Sequence, residues 1–278
     1  MNLEFYYRIG LIRKGENFPS LRDAFDVPMY QLNGFDHPLM LIITSEFPDT
    51  LVPAKWGIAP ELDEYGNPFE IDNLDNYYKK QLGYTLNAQA EKAFKYKLYY
   101  DSIFERRCVI PVDGFYEPHT LPNRTKKKEK VPFVFEYEDK SPISLAGIYN
   151  VLHREDSDEA IVTFTIFTRE ANDLFKEVHN VPNKEGKHRM PLILNDDVID
   201  DWLNEEISSS YLEDLLLTEP SKEIIARPVT RDIYKRVDSN YEGVDNFHDY
   251  HTDPQGLRFD FNGYKPHFFG EQNDLFNS

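Results

Sequence analysis

Cysteine is almost absent from this sequence, because Cys108 is the only one among 278 residues. No disulfide can form within the chain, and no CxxC metal or redox motif exists. Long apolar runs are missing as well. No stretch approaches the ~20 residues that a membrane helix needs, and MNLEFYYRIGLIRK at the start has no apolar core of signal-peptide length. These absences exclude disulfide-stapled and membrane-spanning classes and predict a cytoplasmic protein.

Positive charge is scarce, and the net charge is −18. Taken alone, this balance disfavours a nucleic-acid partner, because phosphate binding relies on Lys and Arg. Basic residues nevertheless cluster between Lys92 and Lys97, at Arg106 and Arg107, and in NRTKKKEK at 123–130. The lysine run is typical of a solvated hairpin loop, with a local phosphate-binding patch as the alternative.

Aromatic residues are abundant, with 20 Phe and 18 Tyr, which is typical of a folded, sheet-rich protein. The length suits one large domain, which we expect over residues 1–235, followed by a polar and aromatic C-terminal extension over 236–278. Short strand-like runs joined by polar loops predict an α+β fold. We expect a single β-rich domain whose largely antiparallel sheet can close into a barrel, with flanking helices. The runs are LMLIITSEF, RRCVIPVDGFYEPH, VPFVFEYED, ISLAGIYNV, IVTFTIFTRE and MPLILN.

Helices are predicted between and after the strands. The longest amphipathic pattern covers residues 88–105, AQAEKAFKYKLYYDSIFE. Shorter helical patterns cover 171–179, 195–206 and 209–220. The stretch TLNAQAEKAF at 85–94 is unusual, because Asn, Gln and Glu alternate with small residues. It fits either the start of the long helix or the wall of a polar pocket.

A strand pattern that begins at Cys108 ends near Glu117, and Gly114 within it allows a bulge or a close backbone approach. Alternation places Phe115 and Glu117 on one face and Tyr116 on the other. A carboxyl beside aromatic rings can have a raised pKa, which suits a general acid or base. An ordinary surface glutamate is the equally simple alternative.

Two histidines and an arginine stand out in FKEVHNVPNKEGKHRMPLIL. His179 ends a short helical pattern, and His188 and Arg189 lead into an apolar strand. Histidine suits proton transfer near neutral pH, although a lone histidine is more often structural. Arg189 is suited to hold a phosphate or to pair with a carboxylate. The spacing is not HExxH and no third ligand stands nearby, so we predict no metal and no cofactor.

Two further residues each have a structural and a functional interpretation. Cys108, within CVIPV, fits a buried strand residue better than a nucleophile. Trp56, in the turn PAKWGIAP, either packs in the core or offers a face on which a base can stack.

Several segments occur in a recognisable order, and together they cover about residues 28 to 230. They are KWGIAP, TLNAQAE, RRCVIPVDGFYEPH, LAGIYN, TFTIFTREAN, and VHN followed by HRMPLIL. This order resembles the SOS-response-associated peptidase (SRAP) family, whose pattern is roughly WGLIP, TLNARxE, RRCLVPxDGFYEW, AGLW, TFxIxTxxAN and IHxRMPVIL. Each segment alone is weak, whereas the ordered set is specific. The resemblance implies the family's single β-rich α+β domain with a DNA groove.

The resemblance also implies a chemistry. The family binds single-stranded DNA with abasic sites, whose open sugar presents an aldehyde. An N-terminal cysteine, exposed when the leading residue is removed, forms a thiazolidine with that aldehyde and shields the lesion as a DNA–protein crosslink. The family's active-site Asn, Glu and His match Asn87, Glu117 and His179. Asn87 is implied to orient the sugar or the amine, and Glu117 and His179 to transfer protons.

We expect DNA contacts from Trp56, Gln89 and Arg189. The chain also departs from the family at three positions. Gln89 replaces an arginine that is implied to touch the DNA backbone, which removes one positive charge. Asn2 stands where the family has its reactive cysteine, and Pro118 replaces the tryptophan of GFYEW. Without a 1,2-aminothiol no thiazolidine can form, while a terminal amine can still form a Schiff base and nick the strand by β-elimination.

Three functions remain open from the sequence. The first is an abasic-site processing protein of DNA repair and the SOS response. It would bind single-stranded DNA and react through its N-terminus, as a crosslink or as a Schiff-base lyase, with the family's autoproteolytic N-terminal processing. The second is a catalytically impaired single-stranded DNA-binding module, which Asn2 favours. A general hydrolase ranks last, because no Ser–His–Asp constellation can be assigned. We expect a monomer that associates with no membrane.

Overall fold

Two sheets contain the strand-like runs. The computed structural model describes residues 30–120, 130–154, 160–235, 242–246 and 248. The strands are β1 (Leu39–Thr44), β2 (Leu51–Trp56), β3 (Asn87–Gln89), β4 (Arg107–Val112), β5 (Phe115–Thr120), β6 (Lys130–Tyr137), β7 (Ile143–His153), β8 (Ala160–Glu170), β9 (Arg189–Pro191), β10 (Ile193–Leu194) and β11 (Ile224–Pro228). The α-helices are α1 (Leu74–Gln81), α2 (Lys97–Glu105), α3 (Asp173–Val178), α4 (Ile199–Leu203) and α5 (Ser209–Leu215).

Five strands close into a barrel in the order β7–β4–β1–β2–β8, because β8 pairs back onto β7. Every pairing around this ring is antiparallel except that of β2 with β8. Gly147 in β7 allows the strands to approach closely, since a Cβ there would lie 2.5 Å from the Thr165 carbonyl oxygen. The predicted α+β fold with a largely antiparallel, closing sheet is confirmed.

A second, antiparallel sheet of three strands contains β5, β6 and β11. The prediction of one strand from Cys108 to Glu117 is wrong. The chain leaves the barrel after β4, turns at Asp113 and Gly114, and enters the second sheet as β5. Gly114 is needed at this crossing, because a Cβ would lie 2.6 Å from the Phe135 carbonyl oxygen. Glu117 therefore belongs to the smaller sheet.

The long helix predicted over 88–105 is wrong in its first half. Asn87–Gln89 form β3, which pairs in parallel with β8, and a 3-10 turn spans Ala90–Lys92. The α-helix begins only at Lys97. The later helical patterns are present as α3, α4 and α5, with shorter bounds than predicted.

A buried arginine ties two helices to the barrel. The Arg107 guanidinium donates hydrogen bonds of 2.6 to 2.7 Å to the carbonyl oxygens of Ile103, Phe104, Trp202 and Asn204. These carbonyls lie at the C-terminal ends of α2 and α4, where no backbone N–H within the helix is left to satisfy them. One side chain of β4 thus caps both helices.

Part of the C-terminal extension packs on the domain. Val244 is buried in a cluster with Val134 and Val229, and Asp245 forms an ion pair with Arg227 at 3.5 Å. The domain boundary at residue 235 stays a prediction.

Two features of the sequence, Asn2 and the run at 123–129, lie outside the described residues. Within the described ranges, no helix has both the length and the apolar character that crossing a membrane requires.

Candidate functional site

The Glu117 carboxyl lies on the face of β5 that packs toward α3. Phe115, on the same face, stacks on Phe135 and Phe175 with ring centroids 5.5 and 5.8 Å away. Tyr116 points to the opposite face and joins a different apolar cluster. The predicted alternation along this strand is therefore confirmed, and it places the carboxyl beside a wall of aromatic rings.

His179 reaches the Glu117 carboxyl from the helix that follows barrel strand β8. Helix α3 starts just after β8, and its N-cap Asn172 accepts a hydrogen bond from the Phe175 N–H. His179 is the first residue past the end of α3. Its Nδ1 lies 3.1 Å from Oε2 of Glu117. The His179 and Glu117 side chains are 29% and 26% exposed, so a reacting group can reach the pair from solvent.

Burial shifts the acidity of the two partners in opposite directions. Loss of hydration raises the pKa of the Glu117 carboxyl to about 7, and the positive charge of Lys130 opposes this shift. Burial lowers the pKa of the His179 imidazole, and His188 and Lys130 lower it further. Near pH 7 the imidazole is neutral and the carboxyl is about half ionised. The pair can therefore both give and take a proton at neutral pH.

Asn87 opens β3 and has an exposed side chain, whereas its neighbour Ala88 is buried. Register with β8 places Asn87 opposite Ile166. Among the described residues, no hydrogen bond joins Asn87 to Glu117 or His179. Of the three predicted active-site residues, the structure thus brings two into direct contact and leaves Asn87 on a separate strand.

Side chains near β3 nevertheless contact the loop that follows His179. Lys92 pairs with Glu185 at 3.1 Å. Lys184 Nζ lies 3.3 Å from the hydroxyl oxygen of Tyr84. Residues just before and just after β3 therefore border the loop that starts at the histidine.

Arg189 pairs with a carboxylate, one of the two alternatives given by its sequence context. Its guanidinium donates to both oxygens of Glu91 at 2.5 and 2.9 Å and also to the Thr168 carbonyl oxygen. Gln89 lies opposite Thr168 on β8, and its Oε1 is buried with no hydrogen-bond partner among the described residues. For both side chains, contact with DNA stays a prediction.

Trp56 is half-buried at the end of β2. Its indole N–H donates to the Leu86 carbonyl oxygen at 2.9 Å, and its ring stacks on Phe164 with centroids 6.3 Å apart. These contacts fit the packing interpretation, and base stacking on Trp56 stays a prediction.

The sequence of the chain matches one known family. The family model described as SOS response associated peptidase (SRAP) matches residues 23–236. The chain belongs to the SRAP family.

Named SRAP-like relatives share a common description. The abasic site processing protein YoaM of Bacillus subtilis is 27% identical over 224 residues, which cover 77% of this chain and 87% of the relative. The abasic site processing protein YoqW of the same organism is 26% identical over 210 residues, which cover 72% of this chain and 82% of the relative. The abasic site processing protein HMCES of Xenopus tropicalis is 24% identical over 195 residues, which cover 65% of this chain and 52% of the relative.

Solved structures show the same fold. A crystal structure of a protein from Bacteroides thetaiotaomicron has a TM-score of 0.71 and 24% identity, and the match covers 90% of this chain and 98% of the other. A second, from Bordetella bronchiseptica, has a TM-score of 0.59 and 24% identity, and the match covers 82% of this chain and 96% of the other.

Two polar residues near the pair in this SRAP protein were not among the predicted site residues. His119 is buried and bonds to the Val178 carbonyl oxygen, and Asn180 bonds to the backbone of Thr120. The sequence offered one signal for the first: His119 is two positions beyond Glu117, on the same face of a strand. Asn180 had no signal beyond its place next to His179.

The single thiol of this SRAP chain is inaccessible. Cys108 is fully buried in β4, and burial raises the pKa of its thiol well above the ordinary value. The interpretation as a buried strand residue is confirmed. In the part of the chain that the structure describes, no group of three or more His, Cys, Asp or Glu side chains is arranged to hold a metal ion.

Proposed function

We propose that this protein processes abasic sites in single-stranded DNA, and that Glu117 and His179 move the protons of the reaction. The observation that carries the proposal is the 3.1 Å contact between Nδ1 of His179 and Oε2 of Glu117. Family membership and the names of the relatives, which are abasic site processing proteins, support the choice of substrate.

The chemistry of an open abasic sugar needs an acid and a base in one place. An amine adds to the sugar aldehyde and gives a carbinolamine, and the amine loses a proton. The carbinolamine hydroxyl then takes up a proton and leaves as water, which gives an imine. A carboxyl with a pKa of about 7 beside a neutral imidazole can perform both proton transfers without outside help.

The imine has two further routes. A neighbouring thiol can add to it and close a thiazolidine, which is a stable crosslink. Otherwise a base takes a proton from C2′ and the 3′-phosphate leaves, which nicks the strand. The buried Cys108 cannot supply the thiol, so among the described residues nothing supports the first route and the Glu117 carboxylate supports the second. The reacting amine is proposed to be the amino terminus, as the family resemblance implies.

Side chains around the pair are proposed to hold the DNA. Asn87 is exposed and can donate to a sugar or phosphate oxygen. Lys130, whose charge acts on Glu117, and Lys184, beside Tyr84, are the lysines proposed to contact DNA phosphates.

A binding module without chemistry is the second candidate. The burial of Cys108, the one thiol of the sequence, favours it over a crosslinking enzyme. The raised pKa of Glu117 opposes it, because a carboxyl that has lost part of its hydration costs stability and DNA binding alone does not need one.

The test is the intact mass of the protein after incubation with single-stranded DNA containing one abasic site, with the DNA run on a denaturing gel. A stable adduct supports crosslinking. Nicked DNA without an adduct supports the imine and β-elimination route. Intact DNA with unmodified protein contradicts the reaction and leaves the binding module.

Matched variants assign the proton transfers. Glu117→Gln and His179→Ala should each lower the first-order rate of adduct formation or nicking by about 100-fold or more while DNA binding persists. The controls are Glu138→Gln, in the turn after β6, and His153→Ala, at the end of β7, which both change exposed residues. Full activity in both site variants would contradict the assignment.

A further inference from the structure

We propose that His119 and Asn180 are positioning residues that hold His179 against Glu117, so that β5 presents both members of the pair in one fixed geometry. This inference rests on the proposed function for its consequence, whereas the positioning itself can be tested without any reaction.

His119 fixes the residue before His179. Its Nδ1 lies 2.8 Å from the Val178 carbonyl oxygen, and its ring is buried edge-on against Phe133. The carbonyl belongs to the last residue of α3, whose C=O has no partner within the helix. A histidine at position 119 therefore supplies a hydrogen bond to a carbonyl oxygen that the helix leaves unpaired. An apolar residue would pack as well but would leave that carbonyl unpaired.

Asn180 fixes the residue after His179. Its Oδ1 accepts from the Thr120 N–H at 2.9 Å, and its Nδ2 donates to the Thr120 carbonyl oxygen at 2.8 Å. The amide side chain thus pairs with both backbone groups of one residue, as a neighbouring strand would. The Nδ2 group also lies 3.5 Å from Nε2 of His119. These two sets of hydrogen bonds, from His119 and from Asn180, are called the anchors; both connect the chain around His179 to β5, the strand that carries Glu117.

The anchors add to the contacts that already hold this point of the chain, which are the burial of Phe175 and Val178 and a 3.0 Å contact between the His188 ring nitrogen Nδ1 and the His179 carbonyl oxygen. Helix α3 has only 6 residues, and the chain beyond Asn180 runs into a tight turn around Asn183 and Gly186. A short helix followed by a loop has little stability of its own. Misplacement of a proton-transfer group by about 1 Å can cost about 100-fold in rate, so fastening both neighbours of His179 to β5 has a direct chemical consequence.

Three substitutions of His119 distinguish the effect of its hydrogen bond to Val178 from the effect of its packing. In His119→Asn the amide nitrogen is bonded to Cγ, as Nδ1 is, so the hydrogen bond to Val178 can persist. In His119→Gln the amide nitrogen lies one bond further out and misses that oxygen. In His119→Ala the donor is removed. With single-stranded abasic DNA at saturation, we expect the Gln and Ala variants to react about 10-fold slower or worse, and the Asn variant to stay within about threefold of the unsubstituted protein.

A reaction-independent measurement accompanies the rates. The titration of the His179 ring, followed by NMR in the absence of DNA, reports the surroundings of the pair. Burial, His188 and Lys130 lower the pKa of this imidazole, and Glu117 faces it directly. When the anchor is lost and the ring moves into water, the pKa should rise toward the ordinary 6.5 in the Gln and Ala variants and stay low in the Asn variant.

The outcomes are distinct. Rescue by Asn but not by Gln, in both rate and titration, supports the inference. Asn180→Ala should reproduce the shift of the His179 pKa independently. Equal behaviour of the Asn and Gln variants, or an unshifted pKa in the Gln and Ala variants, would overturn it. If the unsubstituted protein leaves abasic DNA unchanged, the proposed function fails, while the titration still decides whether His119 positions His179.

Discussion

At the scale of a single residue, the half-buried carboxyl of Glu117 couples stability to pH. Its pKa in the folded protein is about 7, above the ordinary 4.5. The folded protein therefore binds this proton more tightly than the unfolded chain does. The stabilisation is complete when the carboxyl is protonated, below about pH 4.5, and it is lost as the pH rises through 7.

Replacing the carboxyl with a neutral amide of the same shape should remove this dependence. We expect Glu117→Gln to raise the free energy of unfolding by about 1 to 3 kcal/mol at pH 8, and the gain to vanish near pH 4.5. Urea unfolding of both proteins at the two pH values measures the difference. The control Glu138→Gln, in an exposed side chain, should show no such dependence. A gain of equal size at both pH values would contradict the raised pKa of the Glu117 carboxyl.

Gln89 is a second residue whose identity should control a measurable property. It stands on β3 where the family resemblance implies an arginine. In Gln89→Arg, we expect tighter binding of single-stranded DNA at low salt and a steeper salt dependence, by about 0.7 in the logarithmic slope for one added phosphate contact. Fluorescence anisotropy at several salt concentrations measures both. Glu138→Gln changes the net charge by the same amount in the turn after β6. If it steepens the slope equally, the effect is one of total charge rather than of a contact at residue 89.

At the scale of elements, local patterns predict the strands and helices themselves but not always the strands with which they pair. The apolar spacing of 88–105 suits a helix, yet β8 offers an edge to which Asn87–Gln89 bind as a parallel strand. Such a long-range partner leaves no mark on local periodicity. The crossing at Gly114 was missed for the same reason, because both halves of the run read as strand.

The candidate site shows a similar division. Local patterns identified Glu117 and His179 as candidate proton-transfer groups, but only the family resemblance placed both residues in one active site. The order of motifs carries long-range information that a single pattern lacks. Strand alternation could have pointed to His119, which lies on the same face as Glu117, but nothing indicated its partner or Asn180, because their hydrogen bonds go to backbone atoms on elements far along the chain.

Arg106 and Arg107 are adjacent in sequence but differ in their burial and in their bonding partners. Arg107 is buried and caps α2 and α4 through four carbonyl oxygens. Arg106 pairs with Glu61 and Glu105 at the surface. We expect Arg107→Lys to lower the free energy of unfolding by about 2 to 4 kcal/mol, since an ammonium cannot reach both helix ends. Arg106→Lys should cost less than about 1 kcal/mol. Urea unfolding of the two variants measures the contrast, and equal losses would contradict the capping role of Arg107.

At the scale of the whole molecule, the pair depends on both sheets at once. Glu117 lies in the smaller sheet, and His179 follows the helix that leaves the barrel strand β8. The two halves share a core, in which Phe135 of β6 stacks on Phe175 of α3 with centroids 4.2 Å apart. Opening of the barrel would therefore separate the pair, so the site should exist only while the whole fold is intact.

Cys108 reports that global opening directly. Its thiol is fully buried in β4, and burial raises its pKa, so a thiol reagent can react only after the barrel opens. A ligand that binds only the folded state at ten times its Kd should slow this labelling about tenfold. We expect that result with single-stranded DNA whose abasic site has been reduced and cannot react, measured by intact mass over time. An exposed thiol placed by Ser210→Cys in a Cys108→Ala background should label at once, with or without DNA. Rapid labelling of Cys108 in the native protein would contradict its burial, and a rate that saturating DNA leaves unchanged would show that DNA binding is not coupled to the closure of the barrel.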